Sequence, residues 1–238
     1  MKVRNAIALI GVAICSGLAA LTWAVPAAAA AVCPSCYGFE RVAPDVYVEK
    51  GVAPEQGAAL VKLVDDGRQR VRQFWGRPDA APRILVCSDS TCFKRLGGGG
   101  RRGMSIFDFV VVLSPRGDIP VIAAHELSMT ELNRRTGLLG FVRQAVPIWF
   151  NEGIAMYASD DLRYLGPDTA PDRCLIAPSG TLPAGLFEWG RQALSDRHLY
   201  AKAACATSRW ISRHGGPASA VELVSKVAAG EDFNKAAR

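Results

Sequence analysis

The stretches "AAHELSMTEL" (Ala123–Leu132) and "VPIWFNEGIAMY" (Val146–Tyr157) decide how this chain is read. Both have helical patterning. In the first, His125 and Met129 are one turn apart and share a face, with Glu126 about 100° further round. In the second, Pro147 opens the helix where its missing N–H is not needed. Glu152 then lies on a stripe with Ile148 one turn before it and Ala155 and Met156 one turn after. A carboxylate on such an apolar stripe is unfavourable to bury unless something pairs with it. Gly153 beside it permits close helix packing, which would bring the carboxylate to the first helix.

Around these helices the chain divides into strands first and helices afterwards. "DVYVEKG" (Asp45–Gly51) alternates and reads as a strand, "RILVCS" as a second and "SIFDFVVVLSP" as a third. Between the first two, Pro54 to Trp75 carries Leu60, Val61, Leu63, Val64, Val71 and Phe74 at the spacing of an amphipathic helix. From Ile119 helices take over. One runs to Arg135, ahead of Gly137, and others cover about His198–Arg213 and Pro217–Ala229, with a short helical tail in "GEDFNKAAR". The expectation is an α+β fold, a small N-terminal mixed sheet followed by a helical half. The glycines of "LGGGGRRGM" lack the preceding strand and the following Gly-Lys-Ser/Thr of a phosphate cradle, so they read as a loop bordering a cleft.

The 238 residues suffice for one sizeable core. Setting aside Lys2 and Arg4, the 28 basic residues fall to 26 against 22 acidic ones, a surplus of +4. Those charges are scattered, with no basic stripe and no interleaved aromatics, which argues against nucleic acid as a partner.

The N-terminus points to export. Lys2 and Arg4 precede an apolar run from Ala6 to Val25, followed by Pro26 and five alanines. Residues 1–31 therefore read as a signal peptide or as an uncleaved N-terminal membrane anchor, and residues 32–238 as a single domain. Either reading places the domain outside the cytoplasm, periplasmic or extracellular. Beyond Cys15, six cysteines remain, an even number that suits disulfides in an oxidising compartment. Proximity makes Cys33–Cys36, Cys87–Cys92 and Cys174–Cys205 the simplest pairing. "CPSC" has the spacing of a redox pair but no strand before it, so a structural bridge is the better reading.

The combination of His-Glu-Leu-Ser with Val-Pro-x-Trp-Phe-x-Glu-Gly-x-Ala some 20 residues later resembles the gluzincin zinc metallopeptidases of the peptidase MA-like group, the superfamily of thermolysin. The likeness covers roughly Ile106 to Arg238. It implies that His125 and Glu152 are zinc ligands, that Glu126 is the general base, and that a peptide or protein is the substrate. Zinc lowers the pKa of a water, and the glutamate takes its proton as the water attacks a peptide carbonyl. Tyr157 and Tyr200 are both of a type that can stabilise an oxyanion.

Position 129 departs from that pattern, which has a second histidine there. A thioether does not replace an imidazole for zinc, and Glu131, six residues from His125, projects from another side of the helix. Two functional expectations follow. One is an exported zinc metallopeptidase weakened by Met129. The other is a catalytically dead pseudopeptidase that keeps the cleft as a binding or scaffolding module. Taken singly, His125 also fits a hydrogen-bonded core residue, Glu126 and Glu152 ordinary helix carboxylates, and Met129 core filler.

Overall fold

A computed structural model describes residues 25–117 and 119–238. The apolar run that reads as a signal or anchor, and Cys15 within it, lie outside the described residues except for Val25.

A five-stranded mixed sheet occupies the N-terminal half, and the rest is mostly helical. Its strands are β1 (Phe39–Ala43), β2 (Val46–Glu49), β3 (Arg83–Val86), β4 (Gly103–Ile106) and β5 (Val110–Leu113), in the spatial order β1-β2-β3-β5-β4. The three inner strands run parallel and both edges are antiparallel. Strands β3 and β5 are continuous apolar runs because both faces of the sheet are covered. Ile84, Val86, Val111 and Leu113 face the main core, whereas Leu85, Val110 and Val112 join a second cluster with Phe39, Phe93 and Leu96. Into that second cluster pack Ala27, Ala30 and Ala31 of helix α1 (Pro26–Val32), all fully buried. The alanine run with the look of a cleavable stretch is here a helix seated on the sheet.

Helix α2 (Pro54–Trp75) has the bounds its periodicity indicates, and it covers the main face beside α4 (Pro120–Arg143). The two helices close tightly because Gly67 carries no side chain. A β-carbon there would lie 2.9 Å from that of Ala123. The Trp75 indole N–H donates to Ser128 Oγ at 2.9 Å, locking the pair just past His125.

The single strand expected over "SIFDFVVVLSP" is instead the β4–β5 hairpin. Its turn centres on Phe107, at φ 50°, and contains no glycine or proline that could have marked it. Tertiary contacts hold the turn: Asn133 Nδ2 donates to the Phe107 carbonyl at 3.1 Å, and Arg134 pairs with Asp108 at 3.3 Å. Strand β1, helix α3 (Ser90–Arg95) and helix α6 (Leu186–Ala193) have no counterpart in the sequence reading.

Helix α4 is broken at Gly137 (φ 71°, ψ 173°), next to the expected end at Arg135, and a second helical piece, Leu138–Arg143, follows in a new direction. The chain then enters α5 (Ile148–Ser159), with Pro147 at its N-cap. Behind α5 lies α7 (Leu199–Arg213), followed by α8 (Pro217–Ala228) and the short α9 (Phe233–Ala236). Three disulfides form, Cys33–Cys36, Cys87–Cys92 and Cys174–Cys205, the pairing that proximity suggests. They favour an oxidising, exported location. None of the described helices is long and apolar enough to cross a membrane.

Candidate functional site

Helices α4 and α5 bring His125 and Glu152 together. Nε2 of His125 lies 3.2 Å from Oε2 of Glu152, with both side chains nearly buried. The approach is close, but the imidazole N–H is not aligned on the carboxylate, and Oε2 is left without a hydrogen-bond donor. With zinc bonds near 2 Å, tetrahedral ligand atoms stand about 3.3 Å apart.

Gly153 contributes differently from the expectation. A β-carbon at Gly153 would lie 2.0 Å from Thr207 Oγ1 and 2.9 Å from the Ala203 carbonyl. The close approach is therefore with α7, behind α5, and not with the helix that carries His125. Glu152 reaches His125 because α7 supports α5 from the rear and the Gly137 break turns the connecting chain back.

Glu126 is 7% exposed and faces strand β4. Gly103 makes room for it, since a β-carbon there would come within 2.9 Å of Glu126 Cγ and Oε1. Burial pushes the Glu126 carboxyl above its ordinary range, and the nearby Glu152 charge adds to this against the opposing effects of His125, Ser105 and Arg101. His125 is raised as well. Burial disfavours its imidazolium, but the carboxylates of Glu152, Glu126 and Asp161 together outweigh that. An acid held above its usual range suits proton uptake near neutral pH.

The third position is occupied by Met129. It is half-buried, and its sulfur lies 4.0 Å from Ser105 Oγ. Among the described residues, the one three-donor group of metal-binding type is Glu49, Cys87 and Cys92, whose two cysteines are bridged to each other. No such group forms around His125. The buried Asp161 turns its carboxylate to Arg163, with Oδ1 2.8 Å from Nε. His198 Nε2 accepts from Arg197, and His214 stacks on Trp210 with ring centres 4.1 Å apart. Glu131 accepts from the backbone N–H groups of Asp79 and Ala80 and from Arg135, a structural role on the far side of α4. Glu152 and His125 thus supply two donors of the type zinc takes. The donor set is nevertheless one short of the three that catalytic zinc takes.

The two tyrosines separate. Tyr200 is pushed upward, chiefly by burial and also by the Glu152 charge. Tyr164 stacks on it at 5.6 Å, and Trp189 meets it edge-on at 5.2 Å. Tyr157 instead lines a cavity of about 610 Å³ with Phe74, Arg70 and Arg173, away from His125. Sequence reasoning missed Gly103, Ser105, Asp161 and Tyr164. The first two lie on an edge strand some 20 residues upstream, with no spacing signal that links them to the helix.

No known protein family, curated protein or solved structure matches this chain.

Proposed function

We propose that this chain is an exported metallopeptidase-like protein of the gluzincin type. On this reading it takes a polypeptide along β4, holds zinc weakly through His125 and Glu152, and hydrolyses peptide bonds slowly with Glu126 as general base. The convergence of His125 and Glu152 at 3.2 Å, with a buried carboxylate oxygen lacking a donor, carries the reading. Zinc, when bound, would supply an acidified water and a Lewis acid for the carbonyl. The protein's own groups do the rest. Glu126, held above its ordinary pKa, takes up a proton beside Ser105. Strand β4 is a sheet edge, and an extended peptide can pair with such an edge.

A specific observation favours a second reading, polypeptide binding without hydrolysis. Met129 offers a thioether where the third donor belongs, and no other His, Cys, Asp or Glu among the described residues completes the set. The deciding experiment measures zinc content and chelator-sensitive peptide cleavage in the wild type and in Met129→His. Cleavage in the wild type supports weakened hydrolysis. Cleavage and tight zinc only in Met129→His support the binding module. Zinc in neither protein removes the gluzincin reading altogether.

A further inference from the structure

Where α4 resumes after Gly137, the chain reads Leu138-Leu139-Gly140-Phe141-Val142-Arg143, and its large side chains face outward. Leu138, Leu139 and Val142 are 64%, 61% and 68% exposed, and Phe187 on the first turn of α6 is 93% exposed. The two segments form one surface. The Leu186 N–H donates to Gln144 Oε1 at 3.2 Å, and Phe141, Val142 and Leu186 wall a shared cavity of about 220 Å³. The Phe107 ring, 5.3 Å from that of Phe141, extends the face to the β4–β5 turn, where Phe109 is also exposed. Single exposed apolar residues are ordinary, but a contiguous set of this size marks an interaction surface.

Charge and chain layout select the occupant. Arg134 and Arg143 on α4 and Arg191 on α6 are exposed on the segments that carry the face, against Asp108, which Arg134 engages, and Glu188. Apolar side chains with a basic rim are the pattern of a segment that lies in a membrane interface. The part of the chain before Val25 contains the apolar run that begins at Ala6, behind Lys2 and Arg4, with the pattern of a signal peptide or membrane anchor. We propose that the Leu138–Arg143 segment and the first turn of α6 dock onto the surface of a bilayer with anionic headgroups, apolar side chains inserted and arginines at headgroup level. Docking of this face does not depend on whether the His125 site holds zinc.

The test uses the full chain carrying Cys15→Ser, so that an introduced thiol is the only unpaired one. Nitroxide labels are placed by Leu139→Cys and Phe187→Cys, with Ala59→Cys on the exposed face of α2 as the reference. With phosphatidylcholine–phosphatidylglycerol vesicles, collisions with oxygen should rise several-fold relative to a water-soluble nickel chelate at positions 139 and 187, but not at 59. Pure phosphatidylcholine, or the pair Arg143→Glu and Arg191→Glu, should weaken that change. Labels at 139 and 187 that stay as open to the chelate as the one at 59 overturn the proposal. Equal protection in neutral and anionic vesicles overturns the role of the arginines. Spin–spin broadening at 139 and 187 between copies, independent of lipid, assigns the face to a second copy of the chain instead.

Discussion

His125 Nε2 stands 3.2 Å from Glu152 Oε2 without a hydrogen bond aligned between them, and Glu126 is buried beside the pair. His125 and Glu126 are both raised, above ordinary values of 6.5 and 4.5. The folded state therefore holds protons that the unfolded chain releases. Stability from these two groups is complete below their ordinary values and declines as pH rises through the raised ones.

In the presence of a chelator, the melting temperature is expected to fall as pH rises past the ordinary values of the two groups, 4.5 and 6.5. Glu126→Gln should flatten that fall and make the protein more stable than wild type at the upper end. Asp172, Asp196 and Glu222, whose values are lowered, act only at more acidic pH. Differential scanning calorimetry across the range checks this, and an unaltered slope in Glu126→Gln contradicts it.

Gly103→Ala would press a methyl group against Glu126 and, at 3.0 Å, against Ile122 Cγ2. Strand β4 or the glutamate must shift, with a loss of about 1–3 kcal/mol. On the proposed reading, zinc uptake through His125 and Glu152 should change less than peptide cleavage. Denaturant unfolding together with a zinc titration measures both.

Gly153→Ala sets its methyl against Thr207 and the Ala203 backbone, so α5 and α7 must separate. The expected loss is about 1–3 kcal/mol, together with weaker metal uptake because Glu152 moves with α5. A variant that keeps wild-type zinc affinity would show that α7 does not set the position of Glu152.

Glu131→Ala removes a buried acceptor from the Asp79 and Ala80 N–H groups and from Arg135, which keeps the Trp75 and Arg77 carbonyls. Losing these charge-assisted hydrogen bonds costs about 1–3 kcal/mol. Any metal affinity should be unchanged once the protein is folded, which separates this structural carboxylate from Glu126 and Glu152.

Replacing Cys174 and Cys205 by serine opens a link of sequence separation 31 between α7 and the preceding loop. For a closed loop of that size the chain-entropy account gives about 3–4 kcal/mol. Denaturant unfolding of the wild type and of the double serine variant, both without reductant, checks the figure.

The fold was legible where the sequence has one strong period. Pro54–Trp75 shows its apolar stripe, and the helices after Pro147 and Pro217 start at prolines that cannot continue an earlier ladder. It was not legible where a turn lacks turn residues. The Phe107 turn has an ordinary strand composition and is held by Asn133 and Arg134 from a helix 26 residues away. The exposed face at Leu138 and Phe187 was equally hidden, because periodicity ranks residues as apolar without saying which of them the core has room for.

By itself the sequence determined which groups could meet: a histidine and an acid on one helix, a methionine one turn after that histidine, a second acid on the next helix, and six cysteines near enough to pair. Those properties are local, since side-chain chemistry and helical spacing fix them before the chain folds. Only the tertiary structure decided that His125 and Glu152 do meet and that Gly153 closes on α7. It also decided that Gly103 and Ser105 belong to the same place. Such contacts depend on how helices stack around missing β-carbons and on where the chain breaks at Gly137, and neither leaves a periodic trace in the order of residues.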